Sequence, residues 1–113
     1  MPVRSILYLQ PKPGQRQALI EAFKRLDVFG HALRQEGCIS IEMLAPADEN
    51  GALAVIALWT GPEGIQGWLE NPWRAASNQE LGQFVEEGLD TAVYEIVLAT
   101  PGAPGFQVEG IIS

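Results

Sequence analysis

Three tryptophans and two tyrosines are the residues of this 113-residue chain that could best form a site for a flat organic molecule. Indole and phenol rings provide apolar walls, and their N–H and O–H groups provide hydrogen-bond partners. A site lined in this way would hold an aromatic small molecule. For each ring, a structural role in the core, at a pocket mouth or between subunits is the alternative. The five residues are Tyr8, Trp59, Trp68, Trp73 and Tyr94.

Two charged or titratable side chains could add the polar chemistry that such a site needs. His31 is the only histidine, and the ordinary pKa of a histidine lies near neutrality, so it is a candidate proton acceptor for a phenol. Arg74 is a candidate clamp for an acidic substrate. The competing interpretations are an ordinary surface histidine and a simple ion pair between Arg74 and Glu70.

Composition excludes several classes of partner and site. The chain has 7 basic and 14 acidic residues and a formal charge of -7, so neither nucleic acid nor an anionic membrane is an expected partner. Cys38 is the only cysteine, which excludes an intrachain disulfide and cysteine-rich metal sites. The sequence contains no glycine-rich phosphate-binding loop, no Ser-His-Asp arrangement typical of a catalytic triad, and no spacing of side chains typical of metal ligands. No cofactor is therefore expected. With neither a signal-peptide pattern nor a membrane-length apolar run, the chain is expected to be cytoplasmic.

Apolar periodicity predicts the order strand, helix, strand, strand, helix, strand. The strands are expected at 3–10, 38–44, 52–59 and 91–99. A first helix is expected over 15–36, with a kink near Asp27 because Gly30 interrupts it. A Thr60–Glu63 capping box predicts a short helix to Leu69, and Ser77 with Glu80 predicts another through Leu89, which leaves Trp73 in a loop. This order is that of an α+β, ferredoxin-like βαββαβ domain over 1–100 with an antiparallel sheet, followed by a tail at 101–113.

The two strands expected at the centre of this sheet are apolar on both faces. In this topology the first and third strands are central and both helices cover the same face, so a monomer should show alternating polar residues there. The runs 6–9 and 52–59 show no such alternation. A large exposed apolar face is an aggregation hazard. A homodimer formed through the sheet face is therefore expected, and the tail is a candidate to pack on the partner subunit.

The chain resembles the antibiotic biosynthesis monooxygenase family, a group of dimeric α+β barrels, over about residues 3 to 99. The resemblance rests on short motifs in four parts of the chain. They are Pro13-Gly14 before the first helix, the residues 36–39 that open the second strand, Ala57-Leu58-Trp59, and the helix through Trp68 to Pro72.

The resemblance implies a cofactor-independent monooxygenase that oxidises a hydroxylated aromatic or quinol-type small molecule with dioxygen. Trp59 matches a tryptophan that is important for oxidation in the anthrone-type oxygenases. Two polar positions of that pattern, an asparagine and a tyrosine, are Val55 and Ile65 here. We therefore expect Trp59 and His31 to be catalytic, and a second group of residues to bind the substrate: Tyr8, Trp68, Trp73, Arg74 and Tyr94.

Other functions within the same superfamily compete with oxidation. Residues 68–76 are similar to a motif of the haem-degrading branch, but its axial histidine falls on Ser77 and its strand asparagine on Leu7, so haem degradation is not expected. A non-catalytic dimer that binds a small hydrophobic molecule is one alternative. A cyclase or isomerase acting on polyketide-like substrates is another.

Overall fold

One four-stranded antiparallel sheet organises the computed structural model, which describes residues 2–86 and 91–103. The strands are β1 (Val3–Leu9), β2 (Cys38–Leu44), β3 (Leu53–Trp59) and β4 (Thr91–Glu95). Their order across the sheet is β2-β3-β1-β4, so β1 and β3 are central, as their apolar runs predicted.

Four helices connect and cover these strands in the part of the chain that the structure describes: α1 (Arg16–Arg25), α2 (Val28–Leu33), α3 (Pro62–Leu69) and α4 (Pro72–Leu81). A short 3-10 turn, Gly82–Phe84, follows α4. Side chains of these helices and of one face of the sheet share a single core. The arrangement is the ferredoxin-like α+β fold that the sequence predicted.

The first predicted helix is two helices, and the break lies at the predicted kink. Asp27 has φ 53°, a left-handed conformation that separates α1 from α2. A Cβ on Gly30 would overlap the Asp27 carboxylate, which is an exposed side-chain end that can rotate aside. The expectation that the helix continues to Glu36 is wrong, because α2 already ends at Leu33.

The two predicted caps of the later helices are also wrong. Gly61 is the residue that precedes α3, and no side chain caps that end, so Thr60 and Glu63 form no capping box. α4 begins at Pro72. Because the first N–H of a helix has no partner within the helix, a proline at this position loses no hydrogen bond. The Asn71 side chain accepts a 2.9 Å hydrogen bond from the Trp73 backbone N–H. Trp73 therefore lies in the first turn of a helix and not in a loop.

The last strand is shorter than predicted and ends at Glu95 instead of Ala99. The prediction that the last helix continues through Leu89 is wrong, because α4 ends at Leu81 and Val85 is already extended after the 3-10 turn. Leu89 itself and the tail from 104 onward lie outside the described residues. In β2, the register shifts between Cys38, which is opposite Trp59, and Ser40, which is opposite Leu58. This bulge leaves Ile39 exposed.

The register defines the two faces of the sheet. The helix-covered face of the central strands is mostly buried. The opposite face, which we term the helix-free face, carries mainly apolar side chains, of which Tyr8, Leu44 and Tyr94 are exposed. Its members are Arg4, Ile6, Tyr8, Ser40, Glu42, Leu44, Ala54, Ile56, Leu58, Ala92 and Tyr94. Across the described ranges, every helix is too short or too polar to span a membrane.

Gly64 allows α3 to pack closely on β3, and its replacement tests that packing. A Cβ at this position would lie 2.8 Å from the Glu36 carbonyl oxygen and 2.9 Å from Cε3 of Trp59. Because backbone and a buried ring cannot move aside easily, Gly64→Ala is expected to lower the free energy of unfolding by about 1–3 kcal/mol, as overpacking does. Urea denaturation would measure the change.

Gly82→Ala is the matched control. Nothing lies within 4 Å of a Cβ at Gly82, and its φ of -58° suits any residue. The change is expected to be neutral or to stabilise the protein by about 0.4–1 kcal/mol. Equal losses for the two variants would contradict the close packing of α3.

Candidate functional site

A small cavity lies between the helices and the covered face of the sheet, and we term it the interlayer cavity. Its volume is about 50 Å³. Most of its lining is apolar, from both the sheet and the helices, and Trp59 and Trp68 are the two indoles that contribute to it. Five polar side chains also line it: Ser5, Arg74, Ser77, Asn78 and Thr91.

The cavity exists because two small residues are neighbours at the centre of the sheet. Ser5 of β1 pairs directly with Ala57 of β3, and both face the helices. The next pair along the same face, Leu7 and Val55, is larger. The Ser5–Ala57 pair therefore leaves space that α3 and α4 do not fill.

Trp59 is the largest fully buried side chain in the described part of the chain. Its indole N–H donates a 3.0 Å hydrogen bond to Oγ of Ser5, which is also buried. This bond fixes the ring plane at the edge of the interlayer cavity and satisfies a donor that would otherwise be costly to bury.

Ser5 is the site residue that sequence reasoning missed. The available signal was a polar residue at an inward position of an apolar strand, in a chain whose buried Trp59 needed a hydrogen-bond partner. Alternation along β1 places Ser5 on the same face as Val3 and Leu7. Pairing across two strands, which a single sequence does not specify, was required to bring Ser5 to Trp59.

A second aromatic cluster extends outward from the cavity. Trp68 lines the cavity and is buried, and its ring centroid lies 6.1 Å from that of Trp73. The His31 imidazole stacks on Trp73 with centroids 3.6 Å apart and planes 15° apart. His31 and Trp73 are both half-buried and neither lines the cavity. The structure thus joins α2, α3 and α4 through three rings.

Arg74 extends from α4 to the cavity wall and is half-buried. Burial lowers the pKa of its guanidinium, which nevertheless remains charged as arginine does in proteins. The ion pair with Glu70 that the sequence suggested is absent, and Glu70 instead accepts a 2.6 Å hydrogen bond from Gln66. Within residues 2–86 and 91–103, no carboxylate forms a salt bridge with Arg74.

Tyr8 and Tyr94 are not part of this site. Both lie on the helix-free face, where their exposed fractions are 48% and 53%. The sheet itself separates them from Trp59 and Arg74, so the structure brings together only part of the predicted set of residues. Trp59, Trp68 and Arg74 line the cavity, His31 and Trp73 stack beside it, and the two tyrosines are on the opposite side.

The anthrone-type oxygenase pattern has an asparagine and a tyrosine at two positions that are apolar in this chain, and both positions lie in the cavity wall. Val55 and Ile65 are both buried and line it. Ser5 and Arg74 are polar residues of this lining, beside Ser77, Asn78 and Thr91. Among the described residues, no three His, Cys, Asp or Glu side chains are grouped as a metal site. The arrangement can stack an aromatic ring, donate a hydrogen bond to an oxygen atom and stabilise an anion.

Solved structures with the same fold are numerous and distant in sequence. A protein from Mycobacterium tuberculosis is 18% identical with a TM-score of 0.71, and the match covers 86% of this chain and 96% of that one. SnoaB, a cofactor-independent oxygenase from Streptomyces nogalater, is 17% identical with a TM-score of 0.65 over 88% of this chain and 95% of its own. At these identities the similarity establishes the fold.

The family assignment rests on the sequence itself. No curated protein sequence matches the chain significantly. The sequence model of the family described as antibiotic biosynthesis monooxygenase matches residues 2–79, which include β1 to β3 and most of α4. This match spans more than half of the chain and contains all the residues that line the cavity except Leu81 and Thr91. The chain therefore belongs to the antibiotic biosynthesis monooxygenase family.

Proposed function

We propose that this protein is a cofactor-independent monooxygenase that oxidises a hydroxylated aromatic or quinol-type small molecule with dioxygen. The observation that carries the proposal is the pairing of Trp59 with Ser5 at a mostly apolar cavity whose lining also includes Arg74. Family membership and the described activity of SnoaB support the same reaction class.

The proposed reaction draws all its electrons from the substrate. Loss of a proton from the hydroxylated ring system gives a carbanion-like anion, which transfers one electron to dioxygen. The resulting substrate radical and superoxide combine to form a C–O bond, and protonation gives a hydroperoxide. Loss of water from a carbon that carried two hydrogens leaves a carbonyl, so one oxygen atom enters the product and the other becomes water.

Ser5 and Arg74 would stabilise the negative charge in these steps. Ser5 Oγ accepts the Trp59 N–H and, among the hydrogen bonds of the described residues, donates none. Its hydroxyl proton can therefore point at a substrate or dioxygen-derived oxygen. Arg74 lines the same cavity, and its guanidinium would stabilise the ring anion.

The cavity must widen to admit a ring. A volume of about 50 Å³ is smaller than the about 150 Å³ that accommodates benzene in an apolar cavity. In this proposal the helix layer moves at the break between α1 and α2, where Asp27 has a left-handed conformation. In this proposal the substrate enters between α2 and α4 and replaces His31 on the Trp73 ring. His31 is then beside the substrate hydroxyl and accepts its proton.

A second copy would cover the helix-free face in the functional form. Tyr8, Leu44 and Tyr94 are exposed around the half-buried Ile6 and Ile56, which is the apolar surface that a two-fold partner can bury. Val97 and Leu98, which follow β4, have exposed fractions of 86% and 70%. These side chains and the tail after them would pack on the partner subunit.

Binding and turnover of hydroxyarenes test the proposal. Quenching of tryptophan fluorescence by a panel of quinols and hydroxyarenes would identify ligands, and an oxygen electrode would then measure uptake with each ligand. Enzyme-dependent oxygen uptake is expected for at least one ionisable hydroxyarene. Binding without uptake would favour the non-catalytic alternative, to which the small volume of the closed cavity also lends weight.

Arg74→Met is expected to weaken binding of the anionic form of such a ligand by about 10-fold or more, because hydrogen bonds to charged groups contribute about 1.5–3 kcal/mol. Arg74→Lys should restore part of the affinity.

His31→Ala, by contrast, is expected to bind the anion normally and to consume oxygen more slowly. Fluorescence titration and oxygen uptake separate the two effects, and equal affinity in Arg74→Met would remove Arg74 from the site.

A further inference from the structure

The floor of the interlayer cavity has the size and chemistry of a site for a diatomic gas. The cavity's volume of about 50 Å³ exceeds the about 10–15 Å³ that a cavity needs to hold one water molecule and is too small for an aromatic ring. Ser5 and Ala57, the two small paired residues, form this floor between β1 and β3.

The buried polar groups around this space already have partners within the protein. The Ser5 hydroxyl accepts from Trp59, and the Ser77 hydroxyl donates a 2.9 Å hydrogen bond to the Arg74 carbonyl oxygen. Within the described ranges, no buried side-chain nitrogen or oxygen lacks a hydrogen bond. A buried water molecule needs two to four polar partners. Of the five polar side chains in the lining, only Ser5 and Ser77 are buried, whereas Arg74 and Thr91 are half-buried and Asn78 is exposed. The Ala57 end of the space therefore offers water few partners and favours an apolar occupant.

We propose that this space is a dioxygen site, which binds the gas against Ala57 and beside Trp59 before the aromatic substrate enters. This inference rests on the proposed function, in which dioxygen is the second substrate, and it states where dioxygen binds. A ring that enters from the helix layer would lie above the gas, so oxygen would attack from the side of the sheet. When dioxygen accepts an electron from the substrate anion, the Ser5 hydroxyl would donate a hydrogen bond to the superoxide.

Xenon is the probe for this site, because it binds dry apolar cavities and undergoes no reaction. In crystals held under xenon gas, one xenon atom is expected in contact with Ala57, Ser5 and Trp59. In solution, xenon should shift the Ala57 methyl resonance in a saturable way. Ordered water in this space, or no xenon there at all, would overturn the inference.

Ala57→Val fills the space with two methyl groups and is expected to abolish the xenon site. Ala54→Val is the matched control, because Ala54 lies on the same strand and faces the opposite side. It should leave xenon binding unchanged. Should Ala57→Val fail to fold, the saturable methyl shift in the unsubstituted protein still decides the question.

The activity measurement separates this inference from the proposed function. If a hydroxyarene is oxidised, Ala57→Val is expected to raise the KM for dioxygen several-fold and to leave the KM for the aromatic substrate nearly unchanged. Oxidation without a xenon site would overturn the gas site alone. A xenon site in a protein that oxidises no hydroxyarene would overturn the oxygenase proposal and leave an apolar gas site.

Discussion

Trp59→Ala is expected to lower the free energy of unfolding by about 3–5 kcal/mol, the range for removal of a large buried aromatic side chain. Trp59 has no exposed surface and contacts the sheet, α3 and the interlayer cavity. Under conditions where the variant stays folded, oxygen uptake should also fall to background. Urea denaturation and the oxygen electrode measure the two losses.

Trp73→Ala serves as the comparison for this variant. Its ring is half-buried and stacks on His31, so its removal is expected to cost clearly less stability than removal of Trp59. Equal losses at the two positions would contradict the assignment of Trp59 as the central buried ring.

A double-mutant cycle measures the contribution of the hydrogen bond itself. Ser5→Ala and Trp59→Phe each leave one buried partner unpaired, which costs about 1–3 kcal/mol. Because both variants remove the same 3.0 Å bond, the double variant should lose less stability than the sum of the single losses. Strict additivity would show that the bond contributes nothing.

Ile56→Asp is expected to separate the two subunits of the proposed dimer. Ile56 lies in the middle of the helix-free face, between Ile6 and Glu42, where burial of an aspartate by a partner would leave its charge unpaired and costly. Light scattering at micromolar protein concentration should give the mass of two subunits for the original chain and of one subunit for the variant.

Val93→Asp is the matched control for the dimer. Val93 is exposed and pairs with Ser5, so it belongs to the opposite side of the sheet. This substitution is expected to leave the dimer intact. A monomeric mass for the unsubstituted protein would contradict the proposed cover of the helix-free face.

The strand order and the central positions of β1 and β3 could be predicted from the sequence. Continuous apolar runs such as 52–59 mark central strands, and strand–helix alternation leaves few topologies. Helix ends were less predictable because local signals compete. Thr60 and Ser77 both resemble N-caps, whereas Gly61 and Asn71 occupy those positions, and Pro72 starts α4 five residues before Ser77.

The candidate site was predictable only in part, for a geometric reason. Residue type identified Trp59, Trp68 and Arg74, which do line one cavity. The role of Ser5 depends on strand register, and the stacking of His31 on Trp73 depends on how α2 meets α4. Tyr8 and Tyr94 have suitable side chains, but strand alternation turns both toward the helix-free face.

Isotope labelling during turnover tests the oxygenase account most directly. With a hydroxyarene that the protein binds, oxidation under ¹⁸O₂ is predicted to place one labelled atom in the product and the other in water, with one dioxygen consumed per product and no added reductant. Product oxygen derived from labelled water, or binding of such ligands without any oxygen consumption, would contradict the account.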